Sequence, residues 1–194
     1  NCTVHGIDPE PGAHGVGRYL KDLVKVNNIK QGFAENLPFL DMEFDLVFSS
    51  HVLEHVNDEL KSLQEMKRVL KEDGILIIGM PTRSMAVINL FSNVVFTTHI
   101  KIYEFFRNII SKDVFKYFLN IFKVGSHSFP RANTIYYDLK HYSVENWKKT
   151  IEKEFEIIKV LEPYLYPYPD YPQLFKIHHS KIGASSVFFI CKKK

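Results

Sequence analysis

The chain has 194 residues, 45% of them hydrophobic and 24% charged, with a formal net charge of +3. That length fits one domain around one sizeable core, and the composition is that of an ordinary globular protein. A charge of +3 is too small to point to nucleic acid. The apolar run over residues 84–100, broken by Asn89, Asn93, Thr97, Thr98 and His99, is too short and too polar to span a bilayer, which takes about 20 apolar residues. Cys2 and Cys191 stand at opposite ends and form no metal-like pair, so they read as free thiols of a reducing, cytoplasmic compartment.

Residues 3–8 read as a short strand ending on Asp8. A turn rich in Gly and Pro follows at residues 9–17, and Val16, Leu20, Leu23 and Val24 predict a helix over about residues 17–26. Residues 29–34 predict a second strand. Residues 44–50 predict a third, whose unbroken apolar run suits a strand buried on both faces. Asn57 or Asp58 can cap the next helix, where Leu60, Leu63, Met66, Val69 and Leu70 form one stripe. Gly74 is expected to end that helix, and residues 75–80 form a fourth buried strand stopped by Pro81. Strands alternating with helices imply a parallel, doubly wound sheet with right-handed crossovers.

Residues 84–125 are helical in character. Ile102, Phe105, Phe106, Ile109 and Ile110 mark an apolar face that Val114, Phe115, Phe118, Leu119 and Phe122 continue, with Ser111 as a cap between them. Residues 126–140 read as a loop. Ser143 can cap a helix over residues 144–154, residues 155–161 form a fifth strand, residues 163–183 a loop dense in Pro and Tyr, and residues 185–191 a last strand. The whole reads as one domain, residues 1–194, with residues 81–140 as a helical cap and residues 163–183 as a Tyr/Pro loop.

Polar side chains crowd the strand ends, where an open α/β sheet places its ligand. Gly32-Phe33-Ala34-Glu35-Asn36-Leu37-Pro38-Phe39 is followed by Phe44-Asp45-Leu46-Val47 and then by Ser49-Ser50-His51. Further on stands Lys67-Arg68-Val69-Leu70-Lys71-Glu72-Asp73-Gly74. These motifs resemble the class I S-adenosylmethionine-dependent methyltransferases of the small-molecule (type 11) branch. That family has an adenine loop of the form Gly-Asp-Ala-Glu-x-Leu-Pro-Phe and an Arg-Val-Leu-Lys-Pro-Gly-Gly approach to its fifth strand. The likeness is close over residues 3–80; the last helix and two strands match in pattern. It implies an α/β fold with a Rossmann-like, doubly wound, mostly parallel sheet, an antiparallel last strand and a helical insertion after the fourth visible strand.

The resemblance also implies S-adenosylmethionine as cofactor and methyl transfer to a small-molecule acceptor, a lipid or sugar among the candidates. Asp8 would take the ribose hydroxyls, since a carboxylate accepts from both at once. Phe33, Ala34 and Glu35 would surround the adenine, with Phe33 in place of the family's usual acid. Ser49, Ser50 and His51 would lie where the methionine part meets the acceptor. His51 is the candidate catalytic group, taking the acceptor's proton, with Tyr136, Tyr137 and His141 as weaker candidates. Tyr164, Tyr166, Tyr168 and Tyr171 would wall the acceptor pocket. No metal is implied.

One departure bears on all of this. The family opens with a strand and an Asp-x-Gly-x-Gly turn, whereas this sequence begins at Asn1. Gly12-Ala13-His14-Gly15-Val16-Gly17 follows a strand, but its glycine order differs and it reads as a turn. The absent strand is the central one of the family's sheet. Without it the neighbouring strands would sit about 9–10 Å apart, so they must close up, recruit a strand, or belong to a longer protein, which is the expectation.

Two other readings remain. A non-catalytic derivative would keep the fold and bind a partner through residues 84–125 and 163–183. A zinc hydrolase would use His51-Val52-Leu53-Glu54-His55, an H-x-x-E-H signature in which two histidines share a helix face and the Glu serves as base. Residues 84–125 also carry Lys101, Arg107, Lys112, Lys116 and Lys123 against Glu104 and Asp113. Such a segment is either a cap packed on the sheet or a peripheral membrane contact. The oligomeric state stays open.

Overall fold

In a computed structural model of the protein the described residues are 3–11, 28–110, 113, 115, 116, 118, 119, 125, 128, 134–162 and 184–194. The glycine run at 12–17, the helix expected at 17–26, Cys2, Ser111 and the tyrosines of 163–183 lie outside the described residues. The elements in chain order are β1 (Gly6–Asp8), β2 (Ile29–Gln31), β3 (Phe44–Ser50), α1 (Glu59–Val69), β4 (Leu70–Pro81) and α2 (Arg83–Arg107). They continue with α3 (Ile135–His141), α4 (Val144–Ile151), β5 (Phe155–Leu161) and β6 (Ser186–Lys193).

The strands form two sheets. β1 and β2 pair in parallel, and a second sheet runs in the order β3-β4-β6-β5. β3 and β4 are parallel, and β6 runs antiparallel to both β4 and β5, so the mixed α/β architecture and its antiparallel last strand are as expected. Among the described residues no strand lies between β1 and β3. Among the described residues the two have neither paired with each other nor recruited a strand between them. β3 therefore differs from the strand expected from its apolar run: Leu46 is 52% exposed and Phe48 63%. Its side chains are apolar enough for a central strand, but among the described residues no strand pairs with its outer edge.

The core gathers around β4. Leu76, Ile78 and Met80 of β4 meet Val187 and Phe189 of β6, Leu63 and Met66 of α1, and Trp147 and Ile151 of α4. The Trp147 indole Nε1–H donates to the Pro81 carbonyl at 2.8 Å, which pins α4 to the carboxyl end of β4. α1 starts where Asp58 accepts from the Lys61 amide at 2.9 Å, with Glu59 in its first turn and Lys67 and Arg68 in its last, all favourable to the helix dipole.

Several boundaries differ from the sequence expectation. α1 ends at Val69 rather than Gly74. Leu70 is already extended, its partner in β3 is Phe44, and a register shift between Phe44 and Leu46 absorbs the extra residues. Gly74 lies within β4, where an added Cβ would come 2.7 Å from the Leu70 side chain. β2 stops at Gln31 because the chain turns at once, closed by the Asn36 amide on the Phe33 carbonyl at 3.1 Å. Residues 135–141 form α3 where a loop was expected. Thr134 supplies no side-chain cap, and Tyr136 and Tyr137 are mediocre helix formers; the helix is held by packing on α2.

Candidate active site

The carboxyl ends of β1, β2 and β3 converge on the turn at residues 32–36. The Gly32 amide donates to the Asp8 carbonyl at 3.2 Å, and the Gln31 side chain donates to the Pro9 carbonyl at 3.0 Å. The Asp8 carboxylate accepts from the Glu10 amide at 2.8 Å, a local turn contact that fixes its direction. Beyond the turn, Glu35 accepts from the Asn57 amide at 2.9 Å, tying the turn to the loop after β3. Arg68 completes the frame. It donates to both oxygens of Glu65, to Asp41 and to the Leu37 and Phe39 carbonyls, while Glu65 accepts from the Leu37 amide. The Arg68 guanidinium holds the Glu65 carboxyl below its usual range.

Between these tips lies a cavity of about 560 Å³, within the range of small-molecule sites. Phe33, Ala34, Glu35, Ser49 and Ser50 line it, so five of the sequence-selected cofactor residues share one cleft. Asp8 and His51 do not line it, although their neighbours Ile7, Pro9, Ser50 and Val52 do. The cavity continues along β3 to Phe44 and His5, into the gap between the two sheets.

His51 turns the other way. It sits just past β3 with φ 54°, a left-handed conformation unusual for a side-chain-bearing residue and of the kind that clusters at functional sites. Its amide donates to the Gly79 carbonyl at 2.9 Å. Its Nδ1 lies 3.2 Å from Glu54 Oε1 and its Nε2 lies 2.8 Å from Ser186 Oγ. Glu54 is only 1% exposed, and the same Oε1 stands 3.9 Å from His55 Nε2. A carboxylate against Nδ1 selects the tautomer with the proton there, leaving Nε2 to accept from the Ser186 hydroxyl. Residues 51–56 are not helical, so the two histidines do not present the shared helix face that the zinc signature needs; both turn to one carboxylate. Among the described residues no three His, Cys, Asp or Glu side chains are grouped as for a metal ion.

Glu54 and Ser186 were not singled out as partners of His51 by the sequence; the signal available was an acid in an otherwise buried turn. Nearby, Tyr142 is buried, its hydroxyl 2.6 Å from Ser128 Oγ, and burial, with the Asp138 and Glu54 carboxylates adding to it, pushes its phenol well above the usual range. Of the weaker candidates, Tyr137 and His141 stack on one another at 4.0 Å within α3, and Tyr136 is exposed.

Comparison with known proteins bears on the same stretch. Residues 1–78 match the family described as methyltransferase domain. Over this stretch the chain is similar to that family. Among curated relatives, the ubiquinone/menaquinone biosynthesis C-methyltransferase UbiE of Campylobacter jejuni is 36% identical over 76 residues, 39% of this chain and 31% of its own length. An uncharacterized protein of Methanocaldococcus jannaschii is 40% identical over 97 residues, 46% of this chain and 42% of its own. The chain thus spans less than half the length of these relatives. Among solved structures, a SAM-dependent methyltransferase from Thermotoga maritima aligns over 97% of this chain and 72% of its own, with 21% identity and a TM-score of 0.56. A SAM-dependent methyltransferase from Aquifex aeolicus aligns over 99% and 69%, with 13% identity and a TM-score of 0.51. The likeness to these structures is one of fold and covers nearly all of the chain, while the family sequence match is confined to the part that bears the cavity.

Proposed function

We propose that the protein transfers a methyl group from S-adenosylmethionine to a small-molecule acceptor that carries a removable proton. One observation carries the reading: the Phe33–Glu35 turn and the Ser49–Ser50 strand end line a single apolar cavity at the carboxyl ends of the strands. The residues fit the cofactor. The backbone around Ala34 would meet the adenine, Asp8 at the adjoining tip would meet the ribose, and Ser49 and Ser50 would face the methionine part. When bound, S-adenosylmethionine supplies a methyl group on a sulfonium whose sulfur departs as a neutral thioether.

The chain's own residues bind, exclude water and handle one proton. Holding the reactants in line in an apolar cleft provides most of the acceleration. Glu54 Oε1, 3.2 Å from Nδ1 of His51, favours a proton on that nitrogen and leaves Nε2 as the acceptor toward the Ser186 hydroxyl. Because the His51 ring faces Ser186 and Glu54 rather than the cavity, an acceptor proton would reach Nε2 through the Ser186 hydroxyl, and Glu54 would stabilise the resulting imidazolium. Glu54 is a positioning residue; His51 is the group that takes the proton.

Calorimetric titration with S-adenosylhomocysteine tests the cofactor reading. Saturable one-to-one binding is expected, weakened at least tenfold by Asp8→Asn. No heat, together with no shift in melting temperature, sinks it. A second reading, a non-catalytic module that binds a partner, draws on the continuation of the cavity down the unpaired edge of β3; it gains if the homocysteine ligand fails to bind.

A further inference from the structure

The helix α2 leaves a large apolar surface uncovered at a place the methyl-transfer reading does not use. At about 100° per residue, Val87, Phe91, Ile102 and Phe106 fall within about a third of a turn of one another, with Tyr103 beside them. Phe91 is 68% exposed and Phe106 63%. Thr98 and His99 interrupt the stripe. Just beyond the helix Ile110 is 97% exposed, and exposed Phe115 and Leu119 follow. The Phe105 and Phe118 rings, 6.0 Å apart, bring Phe118 alongside the end of α2, next to the exposed Phe115 and Leu119 in the sequence. Exposed apolar patches on single globular proteins rarely exceed a few hundred Å², and larger ones mark interaction sites.

The charges select the partner. On the same wheel Lys101 falls on one flank of the stripe and Arg107 on the other, while Glu104, the helix's single acid, falls on the opposite side. Lys116 extends the basic border. Apolar and aromatic side chains bordered on both sides by cations form the layout of a helix lying in a lipid interface. No helix among the described residues is long and apolar enough to cross a membrane, so α2 would lie on a bilayer rather than span it. We infer that α2, with the exposed Ile110, Phe115 and Leu119 beyond it, docks the protein on an anionic membrane surface, with the stripe sunk into the headgroup boundary and Lys101, Arg107 and Lys116 meeting acidic lipids. α2 follows directly on the carboxyl end of β4, the same end of the sheet as the cavity, so a docked protein would take its acceptor from the lipid phase.

The test is co-sedimentation of the full chain with phosphatidylcholine vesicles and with vesicles of phosphatidylcholine and phosphatidylserine. Binding to the anionic vesicles is expected, at least tenfold weaker to the neutral ones, and falling with salt. Phe106→Asp and Ile110→Asp should each reduce it at least tenfold while leaving the melting temperature and S-adenosylhomocysteine binding unchanged, since both side chains are exposed. The inference is overturned if the protein stays in the supernatant with anionic vesicles at low salt, or if the two variants bind as the parent does. It is also overturned if the parent forms a dimer in solution that both variants abolish and no vesicle binding occurs, in which case the stripe is an interface between copies. None of these outcomes touches the methyl-transfer reading, which stands or falls on ligand binding at the cavity.

Discussion

Arg68 shows how a single side chain can hold a ligand-binding turn in place. It belongs to α1, yet three of its partners, Asp41 and the Leu37 and Phe39 carbonyls, are in the segment that leads out of the turn. Its remaining contacts are to Glu65, one turn back along the helix. The guanidinium is about a third exposed, so solvent screens part of each interaction. Arg68→Met should still cost about 2 kcal/mol in denaturant unfolding, because it leaves carbonyls and a carboxylate without their charged donor. The same pair sets a pH dependence. The folded Glu65 carboxyl titrates below the 4.5 usual for a glutamate, chiefly through the Arg68 hydrogen bond. Its stabilising contribution is therefore complete above about pH 4.5 and is lost as pH falls through the folded value. Melting temperature measured from pH 6 down to pH 3 should fall more steeply in the parent than in Arg68→Met. Parallel curves would mean that the clamp does not couple to folding.

At the scale of elements, the parts that local chemistry decides were legible. Asp58 and Ser143 cap α1 and α4 where the sequence puts them, and β5 runs over the expected residues, because capping and apolar runs act within a few residues. What escaped depends on distant partners. α3 owes its helix to packing on α2, β3 pairs on one edge only among the described residues, and the orientation of His51 depends on Ser186, 135 residues away. The candidate site divides in the same way: the strand-end motifs point to the cleft, but burial of Glu54 is a property of the folded sheet. Gly79 is where these non-local relations meet. A Cβ there would stand 2.5 Å from the Phe188 ring and 2.9 Å from Ser50 Oγ, in the strand whose carbonyl receives the His51 amide. Gly79→Ala should therefore cost about 1–3 kcal/mol by overpacking and should shift the His51 and Ser50 resonances more than those of β5. A neutral effect on stability would mean that Phe188 moves aside freely and that the strands behind the site are looser than their register implies.

For the molecule as a whole, the question is whether a sheet with an open edge still folds as one cooperative body. The four strands β3-β4-β6-β5 share the core with α1 and α4, while β1 and β2 attach through the Arg68 clamp and a ring cluster of His5, Phe39 and Phe44. Cys191 reports on the first of these. It lies fully buried in β6, opposite Leu76 of β4 and Ile157 of β5, and burial pushes its thiol up to about 12. At pH 8 only about one part in ten thousand would be thiolate, the form that reacts, so both access and ionisation protect it. Alkylation at Cys191, located by peptide mapping so that Cys2 is read separately, should be at least a hundredfold slower in native protein than in denaturant. Its dependence on denaturant should follow the global unfolding curve, because strands on both sides must part before the sulfur is reached. If Cys191 is instead labelled well before the midpoint, β5 and β6 open as a separate unit. The uncovered edge of β3 would then lie on the more stable half of the sheet, and stability would reside in the β3–β4–α1 arm that frames the cavity.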